Sequence, residues 1–345
     1  VVGATGIAGQ QFLAALDGHP WFEVVKLAAS ERSAGKTYAA ALRDPKTGAR
    51  RWWCAEEPSA AVLGLTVENG DGLDVSDVDI VFSAVESDAA RVLEPQYAKT
   101  AAVLSTASAF RYEEDVPIFV PGVNLTHAAL IDKQRDVRGW RGFIVPLPNC
   151  TTMGLVVTLK PLLDWFGIQR VVMTSMQGIS GAGLSPGVAA LEIVDNVIPY
   201  IPGEEEKVAR ETGKILDASF PVSATCTRTA VTEGHTEAVT VALGRRATVG
   251  DVTTAFREFG AEFIGLGLPS APKRLITVHD DPFRPQPRLD RDADGGMTTS
   301  VGRIREDAAL EHGVRYVLVS HNTKMGAAKG AVLTAEYLVK TKYIR

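Results

Sequence analysis

Three glycines spaced three apart, Gly3, Gly6 and Gly9, separate an apolar pair, Val1-Val2, from a segment with apolar residues at Ile7, Phe12, Leu13 and Leu16. A strand end, a glycine turn and an apolar-periodic helix in that order form the first half of a βαβ unit, which commits the start of the chain to a parallel sheet. Small residues in such a turn let a dinucleotide pyrophosphate approach the backbone N–H groups at the helix N-terminus. Gly3, Thr5, Gly6, Ile7, Ala8 and Gly9 are therefore the candidate cofactor-binding residues. A glycine turn without a ligand is the plainer alternative, and the strand context favours the cofactor. No basic region precedes Val1, so this start reads as a strand truncated at its beginning and not as a signal peptide.

Val24–Ala28, Asp79–Phe82 and Ala102–Leu104 read as further strands, with helix-like text around Ala89–Tyr97 between them. From Pro148 the pattern changes: a helix over Thr151–Trp165 leads into β-like runs at Arg170–Met176, Thr236–Leu243 and Leu275–Val278, then a strand at Val314–Ser320 and a terminal helix over Gly326–Lys342. The expected fold is α/β. A Rossmann-type dinucleotide-binding domain over residues 1–148, completed by the C-terminal helix at 323–345, is joined to an α+β domain with a mixed sheet over 149–322. Pro282–Gly296, rich in Pro, Asp and Arg, reads as a surface loop.

Charge narrows the partners. Lys plus Arg total 36 against 41 Asp plus Glu, a net charge of -5, so there is no basic surplus for nucleic acid or anionic lipid. No apolar run reaches the roughly 18 residues of a membrane span. The three cysteines, Cys54, Cys150 and Cys226, are an odd, widely spaced set that suggests neither a disulfide framework nor a zinc site; no metal is expected, and a reducing cytoplasm is. Asp290–Gly295 matches the first half of a calcium loop, but Val301 at the twelfth position supplies no carboxylate.

After the second strand stand Ser30, Arg32, Ser33 and Lys36 where an NAD-binding chain usually places an acid, which points to NADP; Glu31 fits a merely solvated loop. Cys150, in Pro148-Asn149-Cys150-Thr151-Thr152, directly precedes an apolar helix, where the helix dipole is expected to lower its pKa and make it a nucleophile. A lone cysteine is more often buried and inert. His235 follows a glycine turn at a strand start and is the best candidate acid/base, which requires a pKa near neutrality. Arg228, on the preceding strand-like stretch, suits a carboxylate. The acidic first turn Glu204-Glu205-Glu206 reads equally well as helix-dipole compensation. Gly178–Gly183 reads as a flexible loop at the active site.

Taken together, Gly3–Gly9, Pro148–Thr152, Gly203-Glu204-Glu205-Glu206-Lys207, Arg228 with Gly234-His235-Thr236-Glu237, and His321-Asn322-Thr323 resemble the aspartate-β-semialdehyde dehydrogenases, archaeal and fungal branch. Ser105-x-x-Ser108-x-x-Arg111, Gly139-Trp140-x-Gly142-Phe143-Ile144 and Arg288-x-x-Arg291-Asp292 extend the likeness along the chain. The resemblance implies reversible, NADP-dependent reduction of L-4-aspartyl phosphate to the 4-semialdehyde and phosphate, a step toward Lys, Met, Thr and Ile. Cys150 would carry a thioester and His235 act as acid/base. Arg228 would hold the substrate α-carboxylate, Glu204 its amino group, and Lys207, Arg111 and Asn149 the phosphate. Gln177 and Asn322 would order the site and the nicotinamide amide, and Ser83, Ala84, Gly181 and Asn322 would join the cofactor site. The resemblance also implies a homodimer or homotetramer built through the second domain.

Three departures stand out: Gly122 where the family usually has Glu, a loop at Ser180–Gly187 that looks one residue longer, and Val85-Glu86-Ser87 for a usual Leu-Pro-Ser. They keep open a paralogue acting on another acyl phosphate or CoA thioester, such as a malonyl-CoA reductase, against which Glu204, Lys207 and Arg111 argue. A catalytically silent NADP-binding protein would need the glycine turn but not Cys150, His235 and Arg228 jointly.

Overall fold

Val2 bridges in parallel to Ala28 on one side and to Ser83 on the other, and so joins the N-terminal strands into one layer. In the computed structural model, which describes residues 1–182 and 190–344, these strands are β1 (Leu27–Ala29), β2 (Val67–Asn69), β3 (Ile80–Ser83), β4 (Ala102–Ser105) and β5 (Phe143–Pro146). β1 pairs with β2 and β4 with both β3 and β5, all in parallel. The layer order is thus β2-β1-Val2-β3-β4-β5. Every residue of β4 and β5 is buried, as expected of parallel strands covered on both faces.

Helix α1 (Ile7–Leu16) starts at the glycine turn. A Cβ on Gly3, whose φ is +77°, would lie 2.4 Å from the Ala84 carbonyl oxygen, and one on Gly9 would lie 2.2 Å from that of Gly3. Both positions therefore exclude any side chain. The second strand, read over Val24–Ala28, is confined to Leu27–Ala29. β2 and β5 were not read as strands: β2 carries one buried apolar residue, and β5 is a short run without alternation. Helices α2 (Ser87–Tyr97) and α3 (Leu130–Arg138) follow; Gln134 on α3 donates to the Ile144 carbonyl at 3.0 Å and accepts from its N–H at 2.6 Å.

Helix α4 (Cys150–Phe166) is buried on nearly every side and leads into the second sheet. That sheet comprises β6 (Ile168–Gln177), β7 (Val197–Ile198), β8 (Val222–Thr229), β9 (His235–Leu243), β10 (Ile276–Val278), β11 (Thr299–Asp307) and β12 (Gly313–Ser320). Its order is β10-β11-β12-β9-β6-β8-β7, with β6/β8 and β10/β11 parallel and the other pairs antiparallel. Val171, Met173, Ser175 and Gln177 on β6 are buried, while Arg170, Val172 and Thr174 are exposed. One face is therefore packed, by α4, α5 (Glu204–Leu216) and α6 (Val249–Glu258), and the other is open. The final helix, α7 (Ala328–Lys340), returns to pack on α1 and β4.

Pro282–Gly296 differs from its reading as a surface loop. Phe283 is exposed, but the segment forms a helical turn over Pro287–Asp290. Asp290 is buried there and paired with Arg284. Alternating polar and Pro residues gave no periodicity from which this ion-paired turn could be read.

Beneath the ends of β3 and β4, Glu94 is 1% exposed and accepts a 2.6 Å hydrogen bond from Ser105 Oγ. Burial pushes its carboxyl up to about 7 from 4.5, against the pull of the Ser105 and Ser83 hydroxyls. The folded state then holds a proton that the unfolded chain has lost, so stability falls as pH rises from 4.5 to about 7, by about 3 kcal/mol. Glu94→Gln removes this loss. In urea unfolding at pH 5 and pH 8, the wild type should lose about that much more stability than the variant; equal losses would contradict the assignment.

Candidate active site

The packed face of the second sheet meets the N-termini of α4 and α5, and their side chains converge there. Asn149 caps α4: its Oδ1 accepts from the N–H groups of Thr151 at 2.9 Å and Thr152 at 3.3 Å, and its Nδ2 donates to Glu204 at 2.9 Å. This cap sets Cys150 as the first helical residue. Only one of the two Nδ2 hydrogens is used by Glu204, so the residue expected to hold phosphate also serves as the helix cap.

Cys150 Sγ lies 3.2 Å from His235 Nε2. The Gly178 N–H donates to His235 Nδ1 at 3.1 Å, so the neutral imidazole carries its proton on Nε2, facing the sulfur. The turn before β9 is held from several sides. Gly234, at φ +93°, donates to Asn322 Oδ1 at 2.9 Å, and Asn322 Nδ2 donates to Ser180 Oγ at 2.9 Å. Thr323 Oγ1 donates to the Glu233 carboxylate at 2.8 Å, and Arg291 donates to the Glu233 carbonyl at 3.2 Å.

Two electrostatic expectations fail. Burial pushes the Cys150 thiol up to about 12, the Glu204 carboxylate adds to this, and Arg228, Arg111 and the Thr151 N–H pull back less. Burial likewise drives His235 down to about 3, helped by Arg228 and His321. The helix dipole is outweighed by desolvation, and the resting pair is a thiol beside a neutral imidazole.

Arg228 is buried and donates to the Gly178 carbonyl at 2.8 Å and weakly to Gln177 Oε1 at 3.5 Å. Gln177 Nε2 donates to Ser175 Oγ at 3.1 Å and to Glu204 Oε1 at 3.2 Å. Glu204 Oε1 thus collects donors from Asn149, Gln177 and Thr151, leaving Oε2 without a partner among the described residues. Lys207, one turn on, is half-buried and without an ion pair among the described residues. Arg111 is buried, donating to Glu211 at 2.9 Å and to the Thr106 carbonyl at 3.0 Å, while its Nε has no partner among the described residues.

On the cofactor side, the capping residue of α1, Gly6, offers no side-chain bond, and the first turn holds no acid. The free N–H groups and the close glycine turn make a cradle that suits a pyrophosphate. Ser30 and Arg32 are exposed and Ser33 half-buried beyond β1, with Lys36 Nζ donating to the Arg32 carbonyl at 2.7 Å. The Ser83 hydroxyl is buried and Ala84 contributes its backbone beside Gly3. A Cβ on Gly181 would lie 3.1 Å from Arg228 Nη1 and 3.4 Å from His235 Cε1, so this residue sits over the catalytic pair.

At Gly122 the φ is +79°, a backbone conformation that favours glycine, and a Cβ would lie 2.4 Å from Leu275 Cδ1. Glu86 stands at the N-cap of α2, and Ser87 Oγ bonds Ser108 Oγ at 2.9 Å. The lengthened loop, beyond Ala182, lies outside the described residues. Sequence reasoning places Gly178 at the active site but not as the donor to His235, and it missed Glu211 and Lys214. The last two had a signal: 204, 207, 211 and 214 repeat at helical spacing along one face of α5.

Residues 1–131 match the semialdehyde dehydrogenase NAD binding domain and residues 159–325 the semialdehyde dehydrogenase dimerisation domain. An aspartate-semialdehyde dehydrogenase of Methanothermobacter thermautotrophicus is 47% identical, over 98% of this chain and 97% of its own length. That of Saccharomyces cerevisiae is 40% identical over 100% and 98%. The crystal structure of aspartate semialdehyde dehydrogenase with NADP from Candida albicans superposes with a TM-score of 0.88 at 40% identity, covering 99% of each chain.

The charge balance around the nucleophile is testable. Glu204→Gln removes the main charge that opposes thiolate formation, so alkylation of Cys150 by iodoacetamide at pH 8, followed by peptide mass spectrometry, should speed up roughly 5- to 10-fold. An unchanged or slower rate would contradict the balance.

Proposed function

The chain belongs to the aspartate-semialdehyde dehydrogenase family, and from that premise we propose how its residues divide the reaction. The reaction is reversible, NADP-dependent conversion of L-4-aspartyl phosphate to L-aspartate 4-semialdehyde and phosphate. The observation that carries this reading is the 3.2 Å approach of Cys150 Sγ to His235 Nε2 at a capped helix N-terminus.

NADP fits the glycine cradle at α1, which the Ala84 backbone adjoins, with Ser30, Arg32 and Ser33 available to its 2′-phosphate and Gly181 and Asn322 on the side of the catalytic pair. When bound, the cofactor supplies the hydride for reduction of the acyl group and accepts it in reverse. The remaining chemistry belongs to the protein.

Arg228 pairs with the substrate α-carboxylate and Glu204 Oε2 with its ammonium. Sγ passes its proton to a phosphoryl oxygen of the substrate and attacks the acyl carbon; the C–S bond forms, the bond to phosphate breaks, and the phosphate leaves with that proton. Asn149 uses the N–H groups of Thr151 and Thr152, and the Cys150 N–H, free of an acceptor among the described residues, stands ready for the tetrahedral oxygen. His235 Nε2–H hydrogen-bonds that oxygen, and as the C–S bond breaks and the aldehyde leaves, the sulfur takes a proton from solvent. Lys207 and Arg111 hold the departing or attacking phosphate, and Gln177 fixes Glu204 against Arg228.

The dimerisation-domain match and the open face of β6 support a homodimer, or a tetramer built from it, through the second sheet. The packing of α7 on α1 supports a division at 148/149 with residues 323–345 completing the first domain. Among the described residues no helix is long and apolar enough to cross a membrane, which is compatible with a cytoplasmic enzyme.

Purified protein given aspartate semialdehyde and NADP should form NADPH rapidly with phosphate and slowly without it. Cys150→Ala should lower turnover by at least about 1,000-fold with NADP affinity unchanged. Phosphate-independent turnover, or an active Cys150→Ala variant, would overturn the assignment.

A further inference from the structure

The segment from Thr106 to Val116, which carries Arg111, is anchored by Ser87 at Ser108 and by Gln134 and Arg138 at Asp115, and it is also tied to one helix a hundred residues away. Glu211 on α5 is fully buried and accepts from Arg111 Nη1 at 2.9 Å through Oε1. Its other oxygen accepts the backbone N–H of Asn149, the residue that caps the nucleophile's helix, at 2.6 Å. Lys214, one turn further on, donates to the carbonyls of Arg111, Glu113 and Val116 at 2.8, 2.7 and 2.8 Å. The Arg210 guanidinium stacks on the Tyr112 ring at 3.7 Å from its centroid.

A buried ion pair is poor value as a source of stability, since the desolvation of both charges offsets their attraction. What Glu211 gains by being charged is geometry: one carboxylate fixes a guanidinium and a backbone N–H at once, each through its own oxygen. Helix α5 also carries Glu204 and Lys207 in its first turn, on the same face as Glu211 and Lys214.

We propose that Glu211 and Lys214 are positioning residues of the phosphate subsite, fixing Arg111 and the capped end of the Cys150 helix to the helix that presents Lys207. The proposal rests on the reading of Arg111 as a phosphate ligand. Gln at 211 retains the shape but sets an N–H₂ donor against either Arg111 or the Asn149 N–H, so one of the two bonds is lost. Met at 214 retains the aliphatic stem and releases all three carbonyls.

The test is steady-state oxidation of aspartate semialdehyde with phosphate as the varied substrate. Glu211→Gln and Lys214→Met should each raise the KM for phosphate at least tenfold, with the KM for the semialdehyde and the affinity for NADP changed less than twofold. A merely structural role would degrade all three together, and that result, or an unchanged or lowered phosphate KM in variants that fold, would overturn the proposal. Arg111→Gln separates the two levels of inference. If it leaves the phosphate KM unchanged, the reading of Arg111 fails and the proposal with it; if it raises the KM while Glu211→Gln does not, the positioning role alone fails. In the double variant the part of the Glu211→Gln effect that runs through Arg111 should be lost, so the two effects should combine less than additively; full additivity would contradict the coupling. Should Glu211→Gln not fold, Lys214→Met, which leaves the buried pair intact, decides the question.

Discussion

The donation from the Gly178 N–H to His235 Nδ1 fixes what the imidazole can do. With Nδ1 committed as an acceptor, the neutral ring presents a proton to Cys150, and a second proton would have to face an N–H donor. Burial and the nearby Arg228 oppose that second proton as well. The resting site therefore holds its reactive pair uncharged. This is a different arrangement from a preformed thiolate–imidazolium pair, and it follows from desolvation exceeding the helix dipole in a site this closed.

Holding that bond in place requires the scaffold around it. Gly178 directly follows β6 and Arg228 lies opposite Gln177 in the adjacent strand, so one register places the backbone donor, the carboxylate-binding guanidinium and the amide beside each other. His235 lies opposite Ser320, and the turn after β12 sends Asn322 and Thr323 back to hold the turn before β9. The mixed sheet thus acts as a ruler: a one-residue slip in either pairing would turn the functional side chains to its open face.

Much of this was legible in the sequence. The glycine turn is nearly a steric statement about Gly3 and Gly9, and Cys150 before an apolar helix and His235 after a glycine both end up where their context suggested. Three things were hidden for physical reasons. Burial dominates the ionisation of Cys150 and His235, and a local dipole argument carries no information about desolvation. Asn149 was legible as polar and adjacent to the nucleophile, but whether its amide also caps a helix depends on which N–H groups lie within reach. Glu211 pairs with a residue a hundred positions away, and only the helical repeat of charges along α5 hinted at a buried role. The short strands β2 and β5, with no alternation to read, are defined by their neighbours and not by their own text.

The central claim is that Cys150 is the covalent nucleophile of a site at rest in its neutral form. The direct measurement is to mix the protein with aspartate semialdehyde and NADP in the absence of phosphate, quench in acid, and map covalent adducts by peptide mass spectrometry. The account predicts one aspartyl group per active site, on Cys150, formed together with a matching burst of NADPH. A full burst with Cys150 unmodified, or with the acyl group on another residue, would contradict it.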